Sequence, residues 1–170
     1  ADGIQRGLIL IGARANIGKT ATMVNIALDL LDTNKDVVVY FYTLDDTKAI
    51  IVNRFLGVIT RIPINAIQKA GGNLDPSNIT YAEDQKKVED AYEKIKTLHR
   101  CGRLYIKDID DIQHISDIEA DVVREKEAGR QVVVFIDALF NLQVDSTTTG
   151  GIREMNIDRA TQIKAIVDRY

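Results

Sequence analysis

The sequence predicts an α/β fold, a mostly parallel sheet with helices on both faces, and three observations carry the prediction. Short apolar runs rich in β-branched residues alternate along the chain with segments of helical spacing. The 170 residues are enough for one domain with its own core, without disulfide or metal staples. Apolar residues make up 45% and charged residues 28%, with only two prolines, which is globular composition and argues against disorder or low complexity.

Four runs read as buried strands because they lack polar alternation: residues 8–11, 37–42, 103–107 and 131–136. A first helix is expected over 19–31, with Met23, Ile26, Ala27, Leu30 and Leu31 on one face. Ile50, Ile51, Phe55 and Ile59 mark a second, which should stop before Pro63 because the ring disfavours a helical residue ahead of it. Val88, Ala91, Tyr92, Ile95 and Leu98 stripe a third. A fourth carries Ile115, Ile118, Val122 and Val123, entered through Ser116 or Asp117 and closed near Gly129. Ile157, Ala160, Ile163, Val167 and Tyr170 stripe a last one, still running where the sequence stops. Residues 70–80, with Gly71-Gly72-Asn73 and Asp75-Pro76-Ser77, read as a solvated connector. Residues 143–151 form a second polar loop, read either as a solvated connector or as a functional loop, because it follows the carboxyl end of a strand, where open α/β sheets bind ligands.

Charge and cysteine content exclude several classes. A net charge of −3 offers no broad basic field for nucleic acid, although a local patch could sit inside that average. The single Cys101 excludes an internal disulfide and a multi-cysteine zinc site, and fits a reducing compartment. Its neighbour Gly102 suggests packing at a strand entrance. The apolar runs are strand-length, too short to span a bilayer. The amino-terminal Ala-Asp-Gly-Ile-Gln-Arg has no signal-peptide character and no Met, so it reads as a cut or processed end. A soluble cytoplasmic protein with no membrane partner is expected.

The strongest chemistry lies between Leu8 and Thr22. A strand ending at Ile11 leads through Gly12-Ala13-Arg14-Ala15-Asn16-Ile17-Gly18-Lys19-Thr20 into an amphipathic helix, the context that a phosphate-binding loop requires. Backbone N–H groups up to Ala21 would curl around the phosphates of a bound nucleotide at a helix N-terminus, where orphan donors and the helix dipole favour an anion. Lys19 would reach the β- and γ-phosphates and the Thr20 hydroxyl would ligate magnesium. The usual first glycine is displaced: Ala13 occupies its place and Gly12 stands one residue early.

Such a site needs a second strand ending in an acid that holds magnesium through water. Gln131-Val132-Val133-Val134-Phe135-Ile136-Asp137 has that form, although Asp137 could instead start a turn. Asp45, beyond the run at 37–42, is the candidate to orient the attacking water; alternatively, Asp45 and Asp46 cap a helix that begins near Thr47. His99 and His114 are isolated and read as surface or helix-end residues. Arg100 and Arg103 read as solvated, and at least one of Tyr40 and Tyr42 should face a covered surface.

At these residues the chain resembles the DnaB-type replicative helicases. Their phosphate loop has the form A-x-R-P-S-M-G-K-T, with alanine where Ala13 stands, and Asn25 matches an asparagine in the following helix. Tyr42-Thr43-Leu44-Asp45-Asp46 is similar to the family's F-S-L-E-M, with Arg54 and Arg61 where arginines follow. Leu104-Tyr105-Ile106-Lys107-Asp108 is similar to its strand leading to an acidic turn, and Phe135-Ile136-Asp137-Ala138-Leu139-Phe140-Asn141-Leu142 to its I-D-Y-L-Q-L. The resemblance implies a RecA-like P-loop motor core over residues 1–170, cut short of further strands, with the amino-terminal helicase domain missing. It also implies ATP and magnesium as cofactors, a hexameric ring, single-stranded DNA near the loop at 143–151, and a primase or loader as partner. Asp45 replaces the family's catalytic glutamate, Ala15 its loop proline and Asp46 an apolar methionine. A RecA-like ATPase of a non-replicative assembly, or a nucleotide-binding assembly module with little turnover, are the alternatives.

Overall fold

The computed structural model describes residues 6–12, 14, 17–67, 82–112, 114–143 and 151–170. The expectations for Ala13, Ala15, Asn16 and for both loops, at 70–80 and 144–150, fall outside these residues. In chain order the elements are α1 (Lys19–Thr33), β1 (Val37–Thr43), α2 (Lys48–Thr60), a single turn α3 (Ile64–Ile67), α4 (Ala82–Arg100), β2 (Leu104–Asp108), α5 (Ile115–Glu127), β3 (Gln131–Asp137), a 3-10 turn (Leu139–Asn141) and α6 (Ile152–Arg169).

Three parallel strands make the described sheet, in the order β2-β1-β3. The central strand β1 is buried along its whole length, which is why its sequence shows no polar alternation. Alternate side chains still go to opposite faces. Val37, Val39 and Phe41 pack with α1, α2 and α4, whereas Val38, Tyr40 and Tyr42 pack with α5 and α6. Two cores therefore sandwich one sheet, as the sequence predicts.

The fourth expected strand is not formed. Residues 8–11 have no ladder partner among the described residues, and Ile9, Leu10 and Ile11 are 63%, 68% and 46% exposed. Only Leu8 packs, against the α5–α6 core. β-Branched and aliphatic composition signals a preference for a pleated, covered surface but cannot supply the neighbouring strand that such a surface needs.

Helix faces are rotated slightly from expectation. On α1 the buried residues are Met23, Val24, Ala27, Leu28 and Leu31, with Ile26 and Leu30 at the margin. On α2, Ile51 and Phe55 are joined by Leu56 and Asn53, while Ile50 and Ile59 are only half-buried. The α4 stripe is as expected except for Tyr92, which is exposed. His114, not Ser116 or Asp117, is the N-cap of α5, and its N–H donates to the Asp117 carboxylate at 2.9 Å. On α6, Ile163 and Ile166 are buried but Ile157 is 57% exposed.

Other residues also find structural work. Arg103 donates to the Leu31 carbonyl at 2.8 Å and to that of Asn34, tying the end of α1 to the start of β2. Cys101 is exposed in the turn before β2 rather than packed. Beneath α5 lies a charged layer that the apolar stripe conceals. Asp121 and Glu125 are buried: the Tyr42 hydroxyl donates to Asp121 at 2.8 Å, the Tyr40 hydroxyl to Glu125 at 2.7 Å, and Lys107, Arg124 and Arg130 supply the positive charge. Burial, reinforced by the Asp121 charge, pushes the Tyr42 phenol well above its ordinary value; burial and the bond to Glu125 do the same for Tyr40.

Candidate nucleotide site

The carboxyl ends of β1 and β3 lie side by side, with Thr43 in register with Asp137, and the N-terminus of α1 meets them there. This is the edge at which open α/β sheets bind ligands. Gly18 enters α1 with φ 95°, a left-handed conformation that favours glycine, and leaves the helix without a side-chain cap. The first helical bond runs from the Thr22 N–H to the Gly18 carbonyl at 2.9 Å, so the Thr20 and Ala21 amides have no acceptor within the helix. No acidic side chain occupies the first turn, where it would compete with an anionic ligand. Gly12, Arg14 and Ile17 are exposed, Lys19 and Thr20 half-buried.

The decisive contact joins two residues 117 positions apart: the Thr20 hydroxyl donates to the Asp137 carboxylate. Asp137 is only 9% exposed, at the last position of β3. Hydroxyl and carboxylate oxygens are the hard donors that magnesium selects, and phosphate and water complete its octahedron in nucleotide sites. The pair fits the metal. Among the described residues no group of three or more His, Cys, Asp or Glu could hold a metal ion, so a cation here would depend on nucleotide oxygens as well.

The turn carrying Asp45 sits one residue past the ladder. The Leu44 N–H donates to the Asp137 carbonyl at 2.6 Å, and the Thr43 hydroxyl closes the turn on the Asp46 carbonyl at 2.7 Å. The N-cap of α2 is Thr47, whose side chain accepts from the Ile50 N–H, so neither Asp45 nor Asp46 caps that helix. Asp45 is exposed. Asp46 instead pairs with Arg54 at 3.0 Å, so its charge is neutralised by the helix that follows it.

Thr20, Lys19, Asp137 and the Asp45 turn thus converge on one edge. Asp108, ending β2, is spent on α2: its carboxylate accepts from the Lys48 N–H at 3.2 Å. Sequence reasoning missed one polar residue of the site. Asn141 donates to the Leu44 carbonyl at 3.0 Å, a contact without periodic or motif signature.

The model of the DnaB-like helicase C-terminal domain family matches residues 1–168. Among solved structures, the chain is similar to a DnaB-like replicative helicase described with its interactions with primase, at TM-score 0.79 and 23% identity over 96% of this chain and 36% of that one. It is equally similar to a second solved structure, that of an ATPase domain, at TM-score 0.79 and 23% identity over 96% of this chain and 54% of that one. At this identity the likeness speaks for the fold, that of a RecA-like helicase ATPase domain. The chain corresponds to about half or less of the length of these two structures. No curated protein sequence matches it.

Proposed function

The chain belongs to the DnaB-like helicase C-terminal domain family, and on that premise we propose that it is the ATP-binding and hydrolysing motor core of a replicative DNA helicase. The observation that supports this best is the bond between the Thr20 hydroxyl and the Asp137 carboxylate, which joins the phosphate loop to the acid at the end of β3.

The proposed roles follow from the chemistry of phosphoryl transfer, which is mostly positioning and charge neutralisation. Backbone N–H groups of the loop that includes Gly12, Arg14, Ile17, Gly18, Thr20 and Ala21 bind the phosphates, and the Lys19 ammonium neutralises the β- and γ-oxygens. Thr20 and Asp137 are the residues that would hold magnesium, Asp137 through water. Magnesium, when bound, withdraws charge from the phosphate oxygens and fixes their orientation. Asp45 orients the attacking water and accepts its proton; it is one methylene shorter than the family's glutamate, so its reach depends on where the backbone places it. Arg54 keeps Asp46 from adding an unpaired negative charge beside the transferred phosphate.

In the whole protein, turnover drives movement along single-stranded DNA within a hexameric ring, with a primase or loader as partner and the cytoplasm as compartment. Among the described residues no helix is long and apolar enough to cross a membrane. The test is ATP hydrolysis by the intact protein with and without single-stranded DNA, beside Lys19→Ala. DNA-stimulated turnover that vanishes in the variant is expected. Turnover indifferent to DNA would replace the helicase with another RecA-like ATPase, and tight ATP binding without turnover would leave a nucleotide-binding assembly module.

A further inference from the structure

Asp45 lies in the turn that follows β1 and Asp137 ends β3, and whatever fixes their separation fixes the geometry of any water held near the phosphate. The ladder between β1 and β3 ends at Thr43 and Asp137. Beyond it, two bonds continue the alignment. The Leu44 N–H donates to the Asp137 carbonyl at 2.6 Å, which pins the peptide before Leu44. The Asn141 side-chain amide donates to the Leu44 carbonyl at 3.0 Å, which pins the peptide that leads into Asp45.

Asn141 is itself well held. It ends the 3-10 turn that follows β3, and its N–H donates to the Ala138 carbonyl at 3.1 Å. Its neighbour Leu142 is buried, and the Leu142 carbonyl accepts from Arg159 of α6 at 2.6 Å. Phe140 faces solvent at 56% exposure, whereas Asn141 turns inward to Leu44. Leu44 is buried at 6% exposure, so its carbonyl needs a donor from the protein, and because that donor comes from the turn after β3 it ties the Asp45 turn to the strand that carries Asp137.

We propose that Asn141 is a positioning residue for Asp45: by holding the Leu44 carbonyl it sets the peptide plane from which the Asp45 carboxylate projects, at a fixed offset from Asp137. Asn141 affects turnover only through Asp45, so its role presupposes that Asp45 orients the attacking water. Small displacements of a reacting group cost large factors in rate: about a hundredfold for 1 Å. Loss of one tether on a turn held by several bonds should cost less, about tenfold.

The test uses the intact protein and measures steady-state ATP hydrolysis and equilibrium binding of a fluorescent ATP analogue. The variants are Asn141→Ala, Asp45→Ala and the double variant, with a Lys19→Ala control. Asn141→Ala should lower kcat about tenfold while KM and analogue affinity stay within about twofold, because no phosphate contact is touched. The double variant should turn over no more slowly than Asp45→Ala alone. Should Asn141→Ala lose its helical circular dichroism, Asn141→Leu keeps the size, removes the donor without adding a charge and carries the same expectation. A loss that falls on KM or affinity overturns the positioning role, as does a double variant in which the two losses multiply. If Asp45→Ala hydrolyses ATP at the wild-type rate, the role of Asp45 falls and that of Asn141 with it, while a dead Lys19→Ala would leave the nucleotide site standing.

Discussion

Replacing Tyr42 by Phe and Asp121 by Ala should cost very different amounts, although the two side chains share one hydrogen bond. Tyr42 is fully buried on β1 and donates to Asp121 at 2.8 Å. Asp121, whose side chain is 5% exposed, also takes the Lys107 ammonium and the Arg124 guanidinium. Tyr42→Phe removes one bond to a carboxylate that keeps both cations, so the low end of the range for charged acceptors applies, about 1.5 kcal/mol. Asp121→Ala strips the phenol of its acceptor and leaves the Lys107 charge without its partner, a change worth about 4 kcal/mol. With a urea slope of about 2 kcal/mol/M, the midpoint should move down by about 0.8 M in the first case and about 2 M in the second. The assay is urea unfolding at neutral pH followed by far-UV circular dichroism, with an unchanged slope as the check on two-state behaviour. Adding Tyr42→Phe to Asp121→Ala should cost less than the sum by at least about 0.5 kcal/mol, because the bond is already gone. Equal losses in the single variants, or strict additivity in the pair, would refute the assignment of Asp121 as the shared acceptor.

Other outcomes follow from the same contacts. Tyr40 and Tyr42 keep their protons in the folded protein above the pH at which free tyrosine ionises, so their contribution is complete below about pH 10 and is lost as pH rises beyond it. Between pH 9 and 11 the urea midpoint should fall less steeply in Tyr42→Phe than in the wild type; identical slopes would exclude Tyr42 as a source of the alkaline instability. Asp137→Asn should weaken ATP binding in magnesium but hardly in EDTA, read by titration of a fluorescent analogue, and a loss of equal size in both would detach Asp137 from the metal. Asp45→Glu restores the methylene that the family's acid has; a rise in kcat of about tenfold supports Asp45 as the water-orienting group, and an unchanged kcat says another group does that work.

The amino-acid sequence by itself determined the fold class and the long helices that cover the described sheet, and it marked the candidate nucleotide loop. Periodicity and the strand–glycine–lysine–threonine–helix order are local patterns, set by backbone geometry within a few residues. It also marked Asp137, because an unbroken apolar strand that ends in a carboxylate is itself a local pattern. Only the tertiary structure decided which of these residues meet. Thr20 and Asp137 are 117 positions apart, and their contact arises because the N-terminus of α1 abuts the carboxyl end of β3. The same is true of Asn141 and Leu44, 97 positions apart, where nothing in either segment announces the other. Tertiary structure also removed an ambiguity, by giving the N-cap of α2 to Thr47 and so freeing Asp45 from that duty. And it denied residues 8–11 their strand, since a strand needs a hydrogen-bonded neighbour as well as a composition. Side-chain pattern is written along one dimension, whereas a site is made by contacts across the sheet, and their register is fixed only once both cores have packed around β1.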